Sequence, residues 1–150
     1  MRGDFFKRQI ELWGEDTQQN LARKHVTIVG AGGLGCSLGY ALGSSGIGTL
    51  EFIDHDRVEV HNIHRQIGFD FADEGAFKAK ALTRKLAARA PESVHFAAQT
   101  CLFEEAKIDS KTDLIIDATD NFAVRKQIDI AAKNASLPWL YGSVEEFNAQ

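Results

Sequence analysis

The sequence predicts a doubly wound α/β fold: a Rossmann-like, mostly parallel sheet with helices on both faces. Three observations carry that prediction. Short apolar, β-branched runs alternate with stretches of helical periodicity between Val26 and Gly142. Four glycines occupy the six positions Gly30 to Gly35, immediately after the first of those runs. The polar cluster Asp117 to Asn121 follows Leu114-Ile115-Ile116, at the carboxyl end of a strand, where open α/β sheets hold their ligands.

Each element follows from local pattern. An N-terminal helix is predicted over about Ile10 to Arg23, then a buried strand Val26 to Val29 and a helix Leu34 to Ser44. Gly43, Gly46 and Gly48 punctuate the turn into a second strand, Leu50 to Asp54. A short helical turn spans Asn62 to Gln66, and Asp70 to Gly75 forms a loop with freedom to move. Helix Ala76 to Ala90 comes next and is closed by Pro91. The order continues with strand Val94 to Ala97, a weak helical segment near Glu104, strand Leu114 to Asp117, helix Ala123 to Asn134 and strand Trp139 to Gly142. There is no internal repeat and no low-complexity linker, so residues 1–150 read as one nucleotide-binding domain.

The chemistry begins at the glycines. A buried strand ending in Gly30, Gly32, Gly33 and Gly35 lets the chain turn tightly and brings bare backbone N–H groups to a phosphate at the next helix's N-terminus. Dinucleotide oxidoreductases and ATP-binding enzymes both use this pattern, so it indicates a nucleotide without naming it. Asp54 stands 24 residues after Gly30, near the spacing of about 20 at which a carboxylate meets a ribose hydroxyl, although a turn cap explains it equally well. The stretch Asp56 to Gln66 is polar and cationic where a simple dinucleotide fold begins its next helix, and its Arg65 calls for an anion or for solvent. Lys78 opens a run with Lys80, Arg84, Lys85 and Arg89 that also reads as a solvated helix face. Asp120 and Asn121 could cap the helix that begins near Ala123, bind a ligand, or divide the two tasks.

Five ordered pieces, Arg8-Gln9-Ile10, Gly30 to Gly35 with Cys36, Asp54 to Asp56, Asn62 to Gln66, and Asp117 to Asn121, together resemble the ThiF/MoeB/HesA family, bacterial relatives of ubiquitin-activating enzymes. The resemblance covers nearly the whole chain. It implies an adenylyltransferase that uses ATP and Mg²⁺ to activate the C-terminal Gly-Gly carboxylate of a ubiquitin-like sulfur-carrier protein of the thiamine or molybdopterin type, releasing pyrophosphate. Position by position, it implies Gly33 and its neighbouring glycines on the phosphates and Asp54 on the ribose. Asn62, Arg65 and Lys78 would lie on the triphosphate, and Asp120 on magnesium. Asp56, Gln66 and Asn121 complete the implied nucleotide-binding set. Arg8 would reach the active site of the neighbouring subunit in a homodimer.

That set is chemically coherent. Adenylation brings a carboxylate onto a phosphate, anion against anion, so Arg65, Lys78 and a metal must neutralise charge on phosphorus and on departing pyrophosphate. The attacking carboxylate is ionised at neutral pH, its ordinary pKa lying between about 3.3 and 3.7, so no general base is required.

Composition excludes other classes. The chain is 44% hydrophobic and 25% charged with a formal charge of −4, as expected of a globular domain with a core and without a nucleic-acid surface. No apolar run of about 18 residues is present and the N-terminus does not read as a signal peptide, so no membrane contact and a cytoplasmic location are expected. Cys36 and Cys101 belong to no Cys-x-x-Cys pair and read as buried thiols, and the five histidines show no metal-binding spacing.

Family members continue beyond the matching region with more of the sheet, a tail-guiding crossover, often a sulfur-accepting cysteine, and in many cases two Cys-x-x-Cys zinc pairs. The 150 residues therefore read as the N-terminal portion of a longer protein, with zinc expected outside them and not within. Gly142 to Gln150 read as a strand or turn about to continue. The sequence also departs from the family at Phe5, where an additional arginine is common, and in the acidic stretch Ser143 to Phe147, where Glu146 has no physical account. Three other readings stay open here: a family member that adenylates a different carboxylate, on a modified tRNA base or a peptide; an NAD-binding oxidoreductase domain, in which Arg65 and Asp117 to Asn121 would have no task; and a portion that by itself is inactive and only binds nucleotide or dimerises.

Overall fold

The strands β1 (His25–Val29), β2 (Thr49–Ile53), β3 (His95–Gln99), β4 (Leu114–Asp117) and β5 (Trp139–Tyr141) form one sheet in the order β3-β2-β1-β4-β5. Every pairing in it is parallel in the computed structural model, which describes residues 4–145 and 148–149. All five residues of β1 are buried, as a central strand covered on both faces requires. One face packs Ile28, Leu50 and Phe52 against α3 (Gly33–Ser45) and α4 (Lys78–Arg89) through Cys36, Ala79, Leu82 and Leu86. The other packs Val29, Ile53 and Ile115 against Ile128 and Ala132 of α5 (Phe122–Ala135). Helices thus cover both faces, as predicted. A two-stranded antiparallel hairpin, β6 (Val144–Glu145) with β7 (Asn148–Ala149), follows the sheet; Glu146, Phe147 and Gln150 lie outside the described residues. No helix among the described residues is long and apolar enough to cross a membrane.

Four local expectations are corrected. The single N-terminal helix is two, α1 (Lys7–Trp13) and α2 (Glu15–Leu21), because Gly14 takes a φ of +86° that no helix accommodates. The two helices are held to the C-terminal end of α3 by Gln9 and Gln18, whose side-chain amides both donate to the Ser45 carbonyl at 3.0 Å. The helix predicted from Ala76 starts at Lys78, since Phe77 is drawn into an extended bridge with Arg57. The third strand runs to Gln99 rather than Ala97, because its register pairs Ala98 with Phe52 and Gln99 with Ile53. The short turn foreseen at Asn62 is a 3₁₀ helix, Val60–Asn62, that leads into a turn.

The Asp70 to Gly75 loop is also more structured than predicted. It contains the 3₁₀ helix Phe71–Asp73, and the wholly buried Asp73 pairs with Lys85 at 2.7 Å and with Arg84. Part of the basic run on α4 is therefore committed to this loop rather than to solvent.

Candidate functional site

The crossovers leaving β1 and β4 diverge to opposite faces of the sheet, which opens a crevice between these adjacent strands at their carboxyl ends. The β1 side of the crevice is the glycine turn. Gly30 takes a φ of +98°, and a Cβ there would stand 2.9 Å from the Ala118 carbonyl of the opposite wall. At Gly35 a Cβ would meet the Gly30 carbonyl oxygen at 2.1 Å, so the first turn of α3 folds back on the strand end as only glycine permits. Gly33, by contrast, is uncrowded: the nearest atom to a Cβ there is the Arg65 carbonyl oxygen, at an ordinary contact distance of 3.9 Å. No side chain among the described residues caps α3, so its leading N–H groups and the positive end of its dipole face this opening.

The wall beside the turn comes from the segment after β2. Asp54 accepts hydrogen bonds from the Ala31 backbone N–H (2.7 Å) and the Asp56 backbone N–H (2.7 Å), which ties the β2 exit to the glycine turn. Burial pushes its carboxyl above the ordinary 3.8, against the pull of those two N–H groups, and the neighbouring Asp56 adds to the rise. A carboxyl raised on folding binds its proton more tightly in the folded chain, so its ionisation costs stability as pH climbs from 3.8 through the raised value. Relative to the wild type, Asp54→Asn should gain stability across that window and hold a constant difference above it. Urea titrations over a pH series measure this, and a difference independent of pH would contradict it.

Asn62 and Gln66 are buried, whereas Arg65 between them is exposed. Asn62 caps its own 3₁₀ turn, accepting the Glu59 N–H at 3.2 Å. The Gln66 amide nitrogen lies 3.6 Å from where a Cβ on Gly32 would stand, and its buried carbonyl oxygen has no hydrogen-bond partner among the described residues. A buried acceptor left unpaired beside an open glycine turn suits a bound polar ligand. Lys78 is buried at the head of α4, with its ammonium 3.2 Å from Asp56 Oδ2. Asp54, Asp56 and the intervening His55, which sequence reasoning does not single out, bring potential ligand atoms within 4.8 Å of one another. The carboxylates of this trio are already engaged, Asp54 by backbone N–H groups and Asp56 by Lys78.

The β4 side separates the roles left open for the Asp117 to Asn121 cluster. Asn121 is the cap of α5, accepting from Ala123 N (2.9 Å) and Val124 N (3.3 Å). Asp117 is structural: fully buried, it accepts from Thr119 N (2.9 Å), Thr119 Oγ1 (2.7 Å) and Arg125 Nε (2.7 Å). Arg125 also donates to the Thr119 carbonyl at 3.2 Å and stacks 4.5 Å above the Tyr141 ring. Sequence reasoning misses Arg125; its only signal there is a position eight residues after Asp117, on the first turns of the predicted helix. Asp120, exposed on the same loop, makes no side-chain hydrogen bond or ion pair within the described residues.

Arg8 does not join this cluster within its own chain. It is exposed on α1, which is anchored to Ser45, about 20 Å along α3 from the glycine turn. Of the two thiols, Cys36 is buried and pushed up to about 11 by that burial, which leaves it unreactive at neutral pH, while Cys101 is only half-buried.

The ThiF family model matches residues 6–150. The chain is 34% identical over 151 residues to the sulfur carrier protein adenylyltransferase of Thermus thermophilus, covering 98% of this chain and 56% of that protein. It is 36% identical over 139 residues to the adenylyltransferase and sulfurtransferase MOCS3 of Dictyostelium discoideum, covering 91% of this chain and 33% of the relative. The chain thus spans about a third to a little over half the length of these two relatives. Among solved structures, Escherichia coli tRNA N6-threonylcarbamoyladenosine dehydratase, TcdA, in complex with ATP, superposes with a TM-score of 0.81 at 24% identity, covering 95% of this chain and 62% of that one.

Proposed function

The chain belongs to the ThiF family, and on that premise we propose that it forms the nucleotide-binding part of an ATP- and magnesium-dependent adenylyltransferase acting on the C-terminal carboxylate of a sulfur-carrier protein. The observation that carries this reading is the glycine turn at the start of α3, flanked by the backbone of the exposed Arg65, the unpaired carbonyl oxygen of Gln66 and, on the far wall, the carboxylate of Asp120, all without a capping or pairing side chain among the described residues. A hydride-transfer site has no use for cationic groups and a free carboxylate placed there. The carrier is favoured over a tRNA base or a peptide because relatives sharing 34% and 36% identity are named as adenylyltransferases, one of them for a sulfur carrier protein.

In the reaction we infer, a carboxylate oxygen of the carrier's terminal Gly-Gly forms a bond to the α-phosphorus of ATP, and the bond to the pyrophosphate oxygen breaks. The N–H groups at the head of α3 hold the phosphates and Asp54 the ribose. Arg65 and Lys78 neutralise the charge that gathers on phosphorus and on the leaving group. Asp120, a carboxylate with no partner among the described residues, would hold a magnesium ion, which would supply further neutralisation at the phosphates. Catalysis is then positioning and electrostatics, with no side-chain nucleophile. Arg8, too far from the site of its own chain, serves that of a second subunit in a homodimer.

Calorimetric titration with ATP plus Mg²⁺, and separately with NAD⁺, tests the reading: ATP should saturate the site and NAD⁺ should not, and NAD⁺ binding alone would overturn it. In the same experiment Arg65→Ala should weaken ATP by about 10- to 100-fold, the worth of a charge-assisted hydrogen bond, and adenosine hardly at all. Equal losses for the two ligands would remove Arg65 from the triphosphate.

A further inference from the structure

Asp56 differs from Asp54 in what engages its carboxylate, a lysine ammonium instead of backbone N–H groups. The Lys78 side chain is 9% exposed and that of Asp56 54%, so a buried ammonium is compensated from the rim of the site. The two residues are joined twice. Asp56 Oδ2 accepts from Lys78 Nζ at 3.2 Å, and the Asp56 carbonyl accepts from the Lys78 backbone N–H at 2.9 Å. Beside them, Arg57 and Phe77 form an extended bridge, with the Arg57 guanidinium 3.8 Å from the Phe77 ring centroid. The head of α4 is thereby fastened to the segment leaving β2. Asp56 reaches the other way as well, its backbone N–H donating to Asp54 Oδ1 at 2.7 Å.

An ammonium has three donors, and Asp56 is the one side-chain acceptor it meets among the described residues. A buried ammonium without a counter-ion is strongly disfavoured and would give up its position. We propose that Asp56 is a positioning residue for Lys78 rather than a contact of the nucleotide. It holds the ammonium in place so that its remaining donors meet the β- and γ-phosphates, and through Asp54 it sets that cation in register with the ribose contact. The proposal rests on the nucleotide reading above, and it gives the two carboxylates of Asp54-His55-Asp56 separate tasks, one on the ligand and one on the lysine.

A double-mutant cycle read by calorimetric affinity, independently of turnover, tests it. Asp56→Ala should weaken ATP by about tenfold, as expected for loss of a charged hydrogen bond, and should leave AMP, which lacks the β- and γ-phosphates, within about twofold. In a Lys78→Met background, Asp56→Ala should cost nothing further for ATP. Asp56→Asn, which keeps an acceptor oxygen, takes the place of Asp56→Ala if the alanine variant does not fold, and should show the same pattern with a smaller loss. If Asp56→Ala weakens AMP as much as ATP, or still weakens ATP in the Lys78→Met background, Asp56 acts on the nucleotide or on the fold as a whole, and the proposal fails while the nucleotide reading stands. If the wild-type protein binds neither ATP nor AMP, both fail together.

Discussion

Replacing Asp120 by alanine is expected to lower magnesium-dependent exchange of pyrophosphate into ATP by at least about 100-fold and to leave folding stability unchanged. The two halves of that expectation have separate origins. Asp120 is exposed and makes no side-chain bond within the described residues, while its neighbours carry the structural duties of the loop: Asn121 caps α5 and Thr119 is bonded to Asp117. Removing the carboxylate therefore disturbs nothing that the fold needs. What it removes is the carboxylate on the β4 wall that is proposed to hold a divalent cation at the phosphates. A variant with full metal-dependent exchange would show that Asp120 is an ordinary surface carboxylate and that magnesium is held elsewhere. The same variant examines the role inferred for Arg8. When Asp120→Ala chains are mixed with Arg8→Ala chains, a dimer with shared sites regains one site with both groups intact, and part of the activity returns. No recovery would confine each site to a single chain.

The largest effect on stability is expected from Arg125→Ala, which should cost about 3 kcal/mol or more in urea unfolding. Asp117 is wholly buried against Arg125, whose own side chain is 19% exposed. Deleting the guanidinium strands a carboxylate where water does not reach, leaving it only the Thr119 hydroxyl and N–H. The Thr119 carbonyl loses its donor as well, and Tyr141 loses the cation above its ring, so the loop that carries Asp120 is loosened along with the core. Replacing both members of the pair, with Asp117→Asn and Arg125→Met, should cost less than the sum of the single changes, since the asparagine needs no counter-ion. A loss below about 1 kcal/mol for Arg125→Ala would mean that Asp117 is satisfied by Thr119 alone.

Much of this arrangement is legible in the order of the residues. The glycine turn is legible because its cause is local: a buried β-branched strand, a sharp turn and a helix start occupy adjacent positions, and each requires particular residue types. Asp54 is legible as a carboxylate at the end of β2 but not in its engagement, since the N–H it accepts from Ala31 lies 23 residues away in the chain. Lys78 looks like one cation in a solvated basic run. It is buried because α4 packs one face onto β2 and β3, and the lysine at its head falls inside that contact. Lys85, from the same run, is unreadable for a related reason: its partners Asp70 and Asp73 lie 15 and 12 positions earlier, in a loop whose local sequence suggests freedom. The extent of helix α1 is not legible either, because the glycine that divides it from α2 is tolerated by helical periodicity and becomes a break only when Gln9 and Gln18 converge on Ser45.

The class of fold, the alternation of strands and helices, the glycine turn and the group of residues that meet at the strand ends are all written in the chain's local pattern. They follow from periodicity, burial preference and turn chemistry, which act between near neighbours. Which carboxylate does what is settled by the packing of distant segments. Asp117 is locked to Arg125, Asp56 to Lys78 and Asp73 to Arg84 and Lys85, whereas Asp120 is left free among the described residues. A carboxylate's role depends on the cation it meets and the water it loses, and both are set by contacts between segments that the sequence keeps apart.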